Sequence, residues 1–251
     1  MARPLKSTAP DKIVCAGEAE LTLTLVERFL RACSDAIEKR SRFTFLLSGG
    51  KSPESFYRRL AGPDLQARLD WRKIHLFWGD ERFVPPADSE SNFGNAQARL
   101  ISKIDIPPGN VHPVPTSEKS PEAAADRYES EMRRFFDLSG GAFPAFDFIL
   151  LGVGEDGHVA SLFPGMRQLD ELHRWVVPVL SVHLKTRRIS VTLPVINSGR
   201  EIVVLAAGNR KTNIVREIFR VDSSRGLPVQ RLDPVSGKLI FLLDKASAAS
   251  L

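Results

Sequence analysis

The residues best suited to chemistry lie in one stretch, Phe146 to Gly165, FDFILLGVGEDGHVASLFPG, in which an apolar run empties into glycines, two acids and a histidine. His158 follows Asp156 and Gly157, so a short acid in a turn can orient the imidazole or cap the helical turn after it. An imidazole titrates close to neutral pH, which suits it to take a proton from water or return one to a leaving group. A lone histidine is more often a hydrogen-bonded structural one; the company of Asp156 sets this one apart. His75, His112, His173 and His183 sit in strand or loop contexts without such company and read as structural or solvated.

Three further stretches could hold an anion. In Ser48-Gly49-Gly50-Lys51-Ser52-Pro53 the glycines let backbone N–H groups close on a phosphate ahead of a helix, although a serine-capped turn is the plainer reading. The spacing of Lys51 from the glycines is not that of a Walker A loop. In Trp78-Gly79-Asp80-Glu81-Arg82-Phe83, Asp80 can contact a substrate hydroxyl or the histidine, and Arg82 can offer its planar fork to a phosphate. A structural ion pair is the alternative there. Gly208-Asn209-Arg210-Lys211 repeats the theme: a lysine at the first turn of a helix opposes the dipole unless an anion lies between them. The letters GVGEDG satisfy G-x-G-x-x-G after a strand, but Pro164 and Gly165 stop the following helix too early for a dinucleotide fingerprint.

Strands and helices must bring these pieces together. Lys12 to Ala16, Phe43 to Leu47, Ile74 to Trp78, Phe146 to Leu151, Trp175 to Val179, Arg188 to Leu193, Glu201 to Ala207 and Leu239 to Leu243 read as strands. Helices are expected over Ala19 to Lys39, from Pro53 through Leu60, over Asn92 to Ser102, Pro121 to Asp137 and Asn209 to Phe219. This alternation predicts a mostly parallel α/β sheet flanked by helices, one domain over residues 1–251 with a small additional lobe. Ligands of such sheets bind outside the carboxyl ends of the strands, where Asp156 and His158 emerge.

The 251 residues carry a net charge of +5, with basic residues mixed among 30 acids rather than gathered in blocks or interleaved with aromatics. A small anionic substrate fits that balance better than nucleic acid. Cys15 and Cys33 match neither a metal-ligand nor a CxxC spacing, and no long apolar window suggests a membrane span. The expected place is the cytoplasm.

Together these stretches resemble the 6-phosphogluconolactonases over nearly the whole chain. The resemblance is carried by SGGKSP, WGDERFVPPADSESNFG, LGVGEDGHVASLFPG, RISVTLPVIN and the G-x-x-K turn at Gly208 to Lys211, in that order. It implies a Rossmann-like fold akin to the glucosamine-6-phosphate deaminase and ribose-5-phosphate isomerase group, no cofactor or metal, and 6-phosphogluconolactone as the small-molecule partner. A monomer or weak homodimer acting without nucleic acid or membrane is expected. By motif position His158 would be the catalytic base, supported by Asp80 and Asp156, while Arg82 and Lys211 hold the phosphate with Ser48, Gly49, Gly50, Lys51 and Ser52. Arg188, before RISV, is a further substrate or phosphate candidate, and N–H groups around Gly154 to Gly157 are candidates for an oxyanion. Ser52 and Ser190 stand where the family commonly has threonine, which keeps the hydroxyl. The sugar-phosphate deaminases carry Phe-Asn-Glu-Pro after the histidine motif where this chain has Ser161-Leu162-Phe163-Pro164, which argues against ring-opening chemistry. A non-catalytic sugar-phosphate sensor could dispense with both His158 and Asp80.

Overall fold

Runs of apolar residues covered on both faces make the strands of this chain, and amphipathic helices cover them. The computed structural model describes residues 10–138, 140–180, 186–220 and 226–251; His183 lies outside them. The first half contains β1 (Asp11–Cys15), α1 (Glu18–Arg40), β2 (Phe43–Leu47), α2 (Glu54–Leu60), α3 (Pro63–Gln66) and β3 (Ile74–Trp78). β4 (Asp80–Arg82), α4 (Asn92–Arg99), β5 (Val111–His112) and α5 (Pro121–Phe136) follow. The second half contains β6 (Phe148–Gly152), β7 (Val176–Val179), β8 (Arg188–Val191), α6 (Leu193–Asn197), β9 (Glu201–Ala206), α7 (Thr212–Phe219) and β10 (Lys238–Asp244).

A seven-stranded sheet runs in the order β1, β10, β9, β6, β2, β3, β5, and every neighbouring pair is parallel. All five residues of β2, FTFLL, are buried, as a strand with both faces covered requires. α1 lays Leu21, Leu25, Val26, Phe29, Cys33 and Ala36 on the sheet at helical spacing. Phe29 meets Phe43, Phe45, Phe56 and Phe148 edge-on, with ring centroids 5.1–5.6 Å apart, the arrangement the ring quadrupoles favour. The strand order reverses direction between β2 and β6, so the crevice of this doubly wound sheet opens at their carboxyl ends.

The opposite ends of the same two strands are tied by Asp147, which is 5 % exposed. Its Oδ2 accepts from the N–H and the hydroxyl of Thr44 at 2.8 and 2.9 Å, and its Oδ1 from Arg40 at 2.7 Å. The Asp147 N–H donates to the Thr44 hydroxyl at 3.0 Å. A buried carboxylate is tolerable when hydrogen-bonded and paired in this way.

The small lobe is an antiparallel sheet in the order β4, β8, β7, set against the carboxyl end of β3. Gly79 joins the two sheets: its N–H donates to Leu47 of β2 and its carbonyl accepts from Val191 of β8, both at 2.9 Å. On α5, Glu129 accepts the N–H groups of Trp175 and Val176 and so fastens β7 to that helix.

The strand and helix expectations hold for most of the chain, with informative departures. Asp80–Arg82, read from the sequence only as a charge cluster at a strand end, is itself a strand, because it pairs with β8, which is remote in sequence. The expected strand from Arg188 to Leu193 stops at Val191, since Leu193 and Pro194 open α6. α7 starts at Thr212, leaving Asn209–Lys211 as a tighter turn ahead of it; Lys211 therefore caps the helix rather than sitting inside its first turn.

His75 and His112 also prove to have company. His112 Nδ1 lies 2.8 Å from Glu131 Oε1 and His112 Nε2 lies 3.3 Å from His75 Nδ1, an arrangement satisfied by two neutral rings. Phe77 and Phe135 flank the pair, and Arg42 lies over Phe135. Burial, then the neighbouring His112 and Arg42, push His75 from the ordinary 6.5 down to about 4. The unfolded chain therefore binds a proton that the folded chain refuses between those values, so this contribution to stability is present above pH 6.5 and is lost as pH falls towards 4. Urea unfolding of His75→Phe should show a weaker loss of stability between pH 6.5 and pH 4.5 than the parent chain; an equal loss would remove His75 as its source.

Candidate active site

A cleft of about 760 Å³ opens at the carboxyl ends of β2, β6 and β9 and is walled on one side by the small sheet. Ser48, Gly49, Gly50, Lys51, Ser52, Asp80, Arg82, His158, Arg188 and Lys211 all line it. Asp156 stands behind His158. Every candidate residue from the sequence thus converges on one place.

The histidine turn is built around a contact between near neighbours. His158 Nδ1 lies 2.6 Å from Asp156 Oδ1, which also accepts the His158 backbone N–H at 3.1 Å. With Nδ1 given to the carboxylate, the neutral ring carries its lone pair on Nε2. Burial raises the Asp156 pKa, but the hydrogen bond and charge of His158 outweigh it, and the net shift is downward. Phe163 packs on the imidazole with ring centroids 4.3 Å apart, so the ring is held on its face as well as at its edge. Gly154 makes the fold-back possible: a Cβ there would lie 2.1 Å from His158 Nδ1 and 2.4 Å from Asp156 Oδ1.

Of the N–H groups from Gly154 to Gly157 that the sequence offered to an oxyanion, the same turn consumes two. The Gly154 N–H donates to the His158 carbonyl at 2.9 Å, and the Gly157 N–H to the Gly154 carbonyl at 3.0 Å. Those two amides stabilise the turn rather than facing a ligand.

The loop after β2 supplies the second wall. Tyr57 pins Ser48 by donating to its carbonyl at 2.6 Å, and the Ser48 hydroxyl accepts the Gly152 N–H of β6 at 3.2 Å. Ser48 therefore spans the parting strands with its side chain, while Lys51 and Ser52 stand exposed at the mouth. Gly49 has no room for a side chain, since a Cβ would fall 1.9 Å from Asn92 Oδ1.

The third wall carries the charges. Arg82 and Arg188 are cross-strand partners on β4 and β8. Arg82 Nη1 donates to the Glu90 carbonyl at 2.8 Å, and the Nε groups of both arginines are buried without a partner. Burial, then the like charge of Arg82, shift the Arg188 pKa downward. Two guanidiniums side by side with spare donors are what an anion would neutralise. Lys211 is likewise shifted downward, chiefly by burial, with Glu155 opposing. Asp80 is 7 % exposed, and its Oδ2 accepts from the Ser161 hydroxyl at 2.6 Å.

Glu81 points the other way. It is buried and accepts the N–H groups of Arg82, Asn92 and Phe93, each at 2.7 Å, fixing the start of α4; burial nevertheless lifts it to about 7. Sequence reasoning gave Asn92, Ser161 and Phe163 no place in the site, although Ser161 and Phe163 lie in the stretch that argued against ring opening. Ser161 and Phe163 sit within three and five residues of His158, which was the available signal. Among the described residues no cluster of three or more His, Cys, Asp or Glu side chains is placed to hold a metal ion, and no helix is long and apolar enough to cross a membrane. Because an added methyl at Gly154 would overlap both members of the dyad, Gly154→Ala should lower kcat/KM about 100-fold or more in steady-state assays. A loss below threefold would show that the dyad geometry is not required.

The sequence and the fold both have known relatives. A family model described as glucosamine-6-phosphate isomerases/6-phosphogluconolactonase matches residues 16–241. A 6-phosphogluconolactonase of Synechocystis sp. is 40% identical, the match covering 90% of this chain and 94% of that protein. The solved 6-phosphogluconolactonase of Trypanosoma cruzi superposes with a TM-score of 0.86 at 28% identity, covering 97% of each chain. A monomeric glucosamine-6-phosphate deaminase shares the fold, with a TM-score of 0.77 at 22% identity over 95% of this chain and 99% of that one. The chain belongs to the glucosamine-6-phosphate isomerase/6-phosphogluconolactonase family.

Proposed function

We propose that this protein hydrolyses 6-phospho-D-glucono-1,5-lactone to 6-phospho-D-gluconate, the lactonase step of the oxidative pentose phosphate pathway, with His158 as general base. The observation that carries the reading is the His158–Asp156 contact of 2.6 Å at the head of a cleft lined by Arg82, Arg188 and Lys211. That contact leaves Nε2 free to take a proton from water as the oxygen attacks C1 of the lactone. The carbonyl π electrons move onto oxygen to form the tetrahedral intermediate. Its collapse restores the carbonyl, breaks the C1–ring oxygen bond and returns the proton from the imidazolium to the departing oxygen. Asp156 stabilises the imidazolium between these transfers and keeps the ring in one tautomer.

The substrate brings a dianionic phosphate and develops further negative charge on the oxygen attached to C1. Arg82, Arg188 and Lys211, with the Gly49–Ser52 loop, supply the complementary charge and donors. Their contribution is to orient the lactone, which converts an encounter with water into a positioned attack. Phe163 stands where the deaminase branch carries a glutamate, and its ring is committed to His158, so no acid is placed there for ring opening. Cys15 and Cys33 are free and buried, with the Cys33 thiol pushed up to about 12 by burial; unpaired, unreactive thiols support placing the enzyme in a reducing cytoplasm.

The direct test is acid release from fresh 6-phosphogluconolactone by the purified protein, run beside ammonia release from glucosamine 6-phosphate. Activity in the second assay alone would overturn the reading. His158→Ala should reduce kcat about 100-fold or more, and unchanged turnover would remove the general base. Lys211→Ala should raise KM for the phosphorylated lactone while leaving hydrolysis of unphosphorylated gluconolactone nearly unchanged. An equal loss on both substrates would argue that Lys211 does not hold the phosphate.

A further inference from the structure

Between the acid and an arginine of the small sheet stands a hydroxyl with no solvent exposure, that of Ser161. It donates its one hydrogen to Asp80 Oδ2 at 2.6 Å. Its oxygen accepts from Arg188 Nη1 at 3.4 Å. The Ser161 backbone N–H is committed as well, to the Ser190 hydroxyl at 3.2 Å, and Ser190 donates in turn to the Val191 carbonyl at 2.9 Å. Every polar atom of Ser161 that bears a hydrogen is thus spent on the small sheet, although the residue belongs to the catalytic turn of the large one.

The backbone bends to achieve this. Ala160, directly before Ser161, has φ 50, in the left-handed region that residues with a Cβ seldom enter, and the tight bridge between Val159 and Leu162 encloses it. Such conformations persist where the surroundings over-determine them, and the surroundings here are the Asp80 and Ser190 contacts.

The other contacts of Asp80 are weaker. Asn92 Nδ2 reaches Oδ1 at 3.4 Å and is better placed on the Asp80 main-chain carbonyl, at 2.9 Å. The rotamer of Asp80 therefore depends on Ser161. Neither Arg82 nor Arg188 takes that carboxylate as a partner; Arg82 uses the Glu90 carbonyl and Arg188 uses Ser161. In a half-buried site a carboxylate beside two guanidiniums would be drawn into a bidentate pair, which is the strong geometry for these groups. Something must hold it off.

We propose that Ser161 is a positioning residue that acts as a spacer, anchoring the Asp80 carboxylate so that it does not collapse onto Arg188 and thereby keeping the arginine donors free for the anionic substrate. Without the hydroxyl, Asp80 turns to Arg188, the pair neutralises itself, and the anion site loses both charge and donors. Ser161 touches no substrate in this account; it works through two residues that do. The kinetic form of the inference rests on the lactonase reading, whereas its binding form requires only an anion.

A double-mutant cycle tests it, with the parent chain, Ser161→Ala, Asp80→Asn and the double variant compared in two assays. Ser161→Ala alone should lower kcat/KM for the phosphorylated lactone about tenfold or more, as removal of a hydrogen bond to a charged group does, and should weaken binding of inorganic phosphate measured by calorimetry. In the Asp80→Asn background, where no carboxylate remains to collapse, the same substitution should change either quantity by less than about threefold. Ser161→Cys, which keeps the side-chain volume but weakens the donor, should behave like Ser161→Ala. Equal factors in the two backgrounds, or a Ser161→Cys protein indistinguishable from the parent, would overturn the proposal and leave Ser161 a packing residue. A parent chain that binds phosphate with the expected coupling but hydrolyses no phosphorylated lactone would count against the lactonase reading and in favour of the spacer.

Discussion

The site depends on two neighbouring strands being held together at one end and kept apart at the other. β2 and β6 pair at only two register positions, Phe45 with Phe148 and Leu46 with Ile149, whereas β2 and β3 pair at five. Asp147 and Thr44 close the amino ends with buried hydrogen bonds. At the carboxyl ends the ladder has already stopped, and Ser48 reaches Gly152 with its hydroxyl instead of its backbone. The splay that results is the crevice expected at a reversal of strand order, and the residues that leave the two strands become its walls. An apolar core of interlocked phenylalanines makes the splay rigid, because the packed rings around Phe29 leave β2 no freedom to shift.

Onto this frame the chain places opposite kinds of group by separate means. The histidine and its orienting acid come from one turn, so their geometry is settled locally by Gly154 and the one intervening residue, Gly157. The cations come from three remote places, β4, β8 and the turn before α7, and they meet only because the small sheet docks on the large one. Like charges at half-buried positions are unfavourable on their own. The buried Nε groups of Arg82 and Arg188, without partners, mark where that cost is carried. Under the proposed function, an anion between them supplies the missing acceptors and offsets that cost.

How much of this the sequence disclosed follows from the range of each interaction. The parallel strands were legible because both-face burial writes a continuous apolar run, as in FTFLL and FDFILLG. The dyad was legible because Asp156 and His158 are two residues apart. β4 was read only as a cluster of charges, since DER carries no strand pattern and its partner β8 lies about a hundred residues on. The role of Ser161 was invisible for the same reason: its partner Asp80 is 81 residues away, and a serine in SLFP resembles any turn serine. The oxyanion expectation for Gly154 to Gly157 is narrowed on a local point, namely that a turn tight enough to aim the imidazole needs the Gly154 and Gly157 N–H groups for itself. His75 and His112 looked solitary along the chain and are neighbours across β3 and β5.

Gly79 has one peptide group in each sheet: its N–H completes the end of β2, and its carbonyl completes the end of β8. The two sheets therefore share a residue instead of a linker, and neither can swing without breaking a main-chain hydrogen bond of the other. Local opening of the small sheet would withdraw Asp80, Arg82 and Arg188 together, leaving the histidine turn intact but facing solvent. The cleft is consequently a cooperative object, in which the placing of these three charged side chains and the order of the small sheet rise and fall as one quantity.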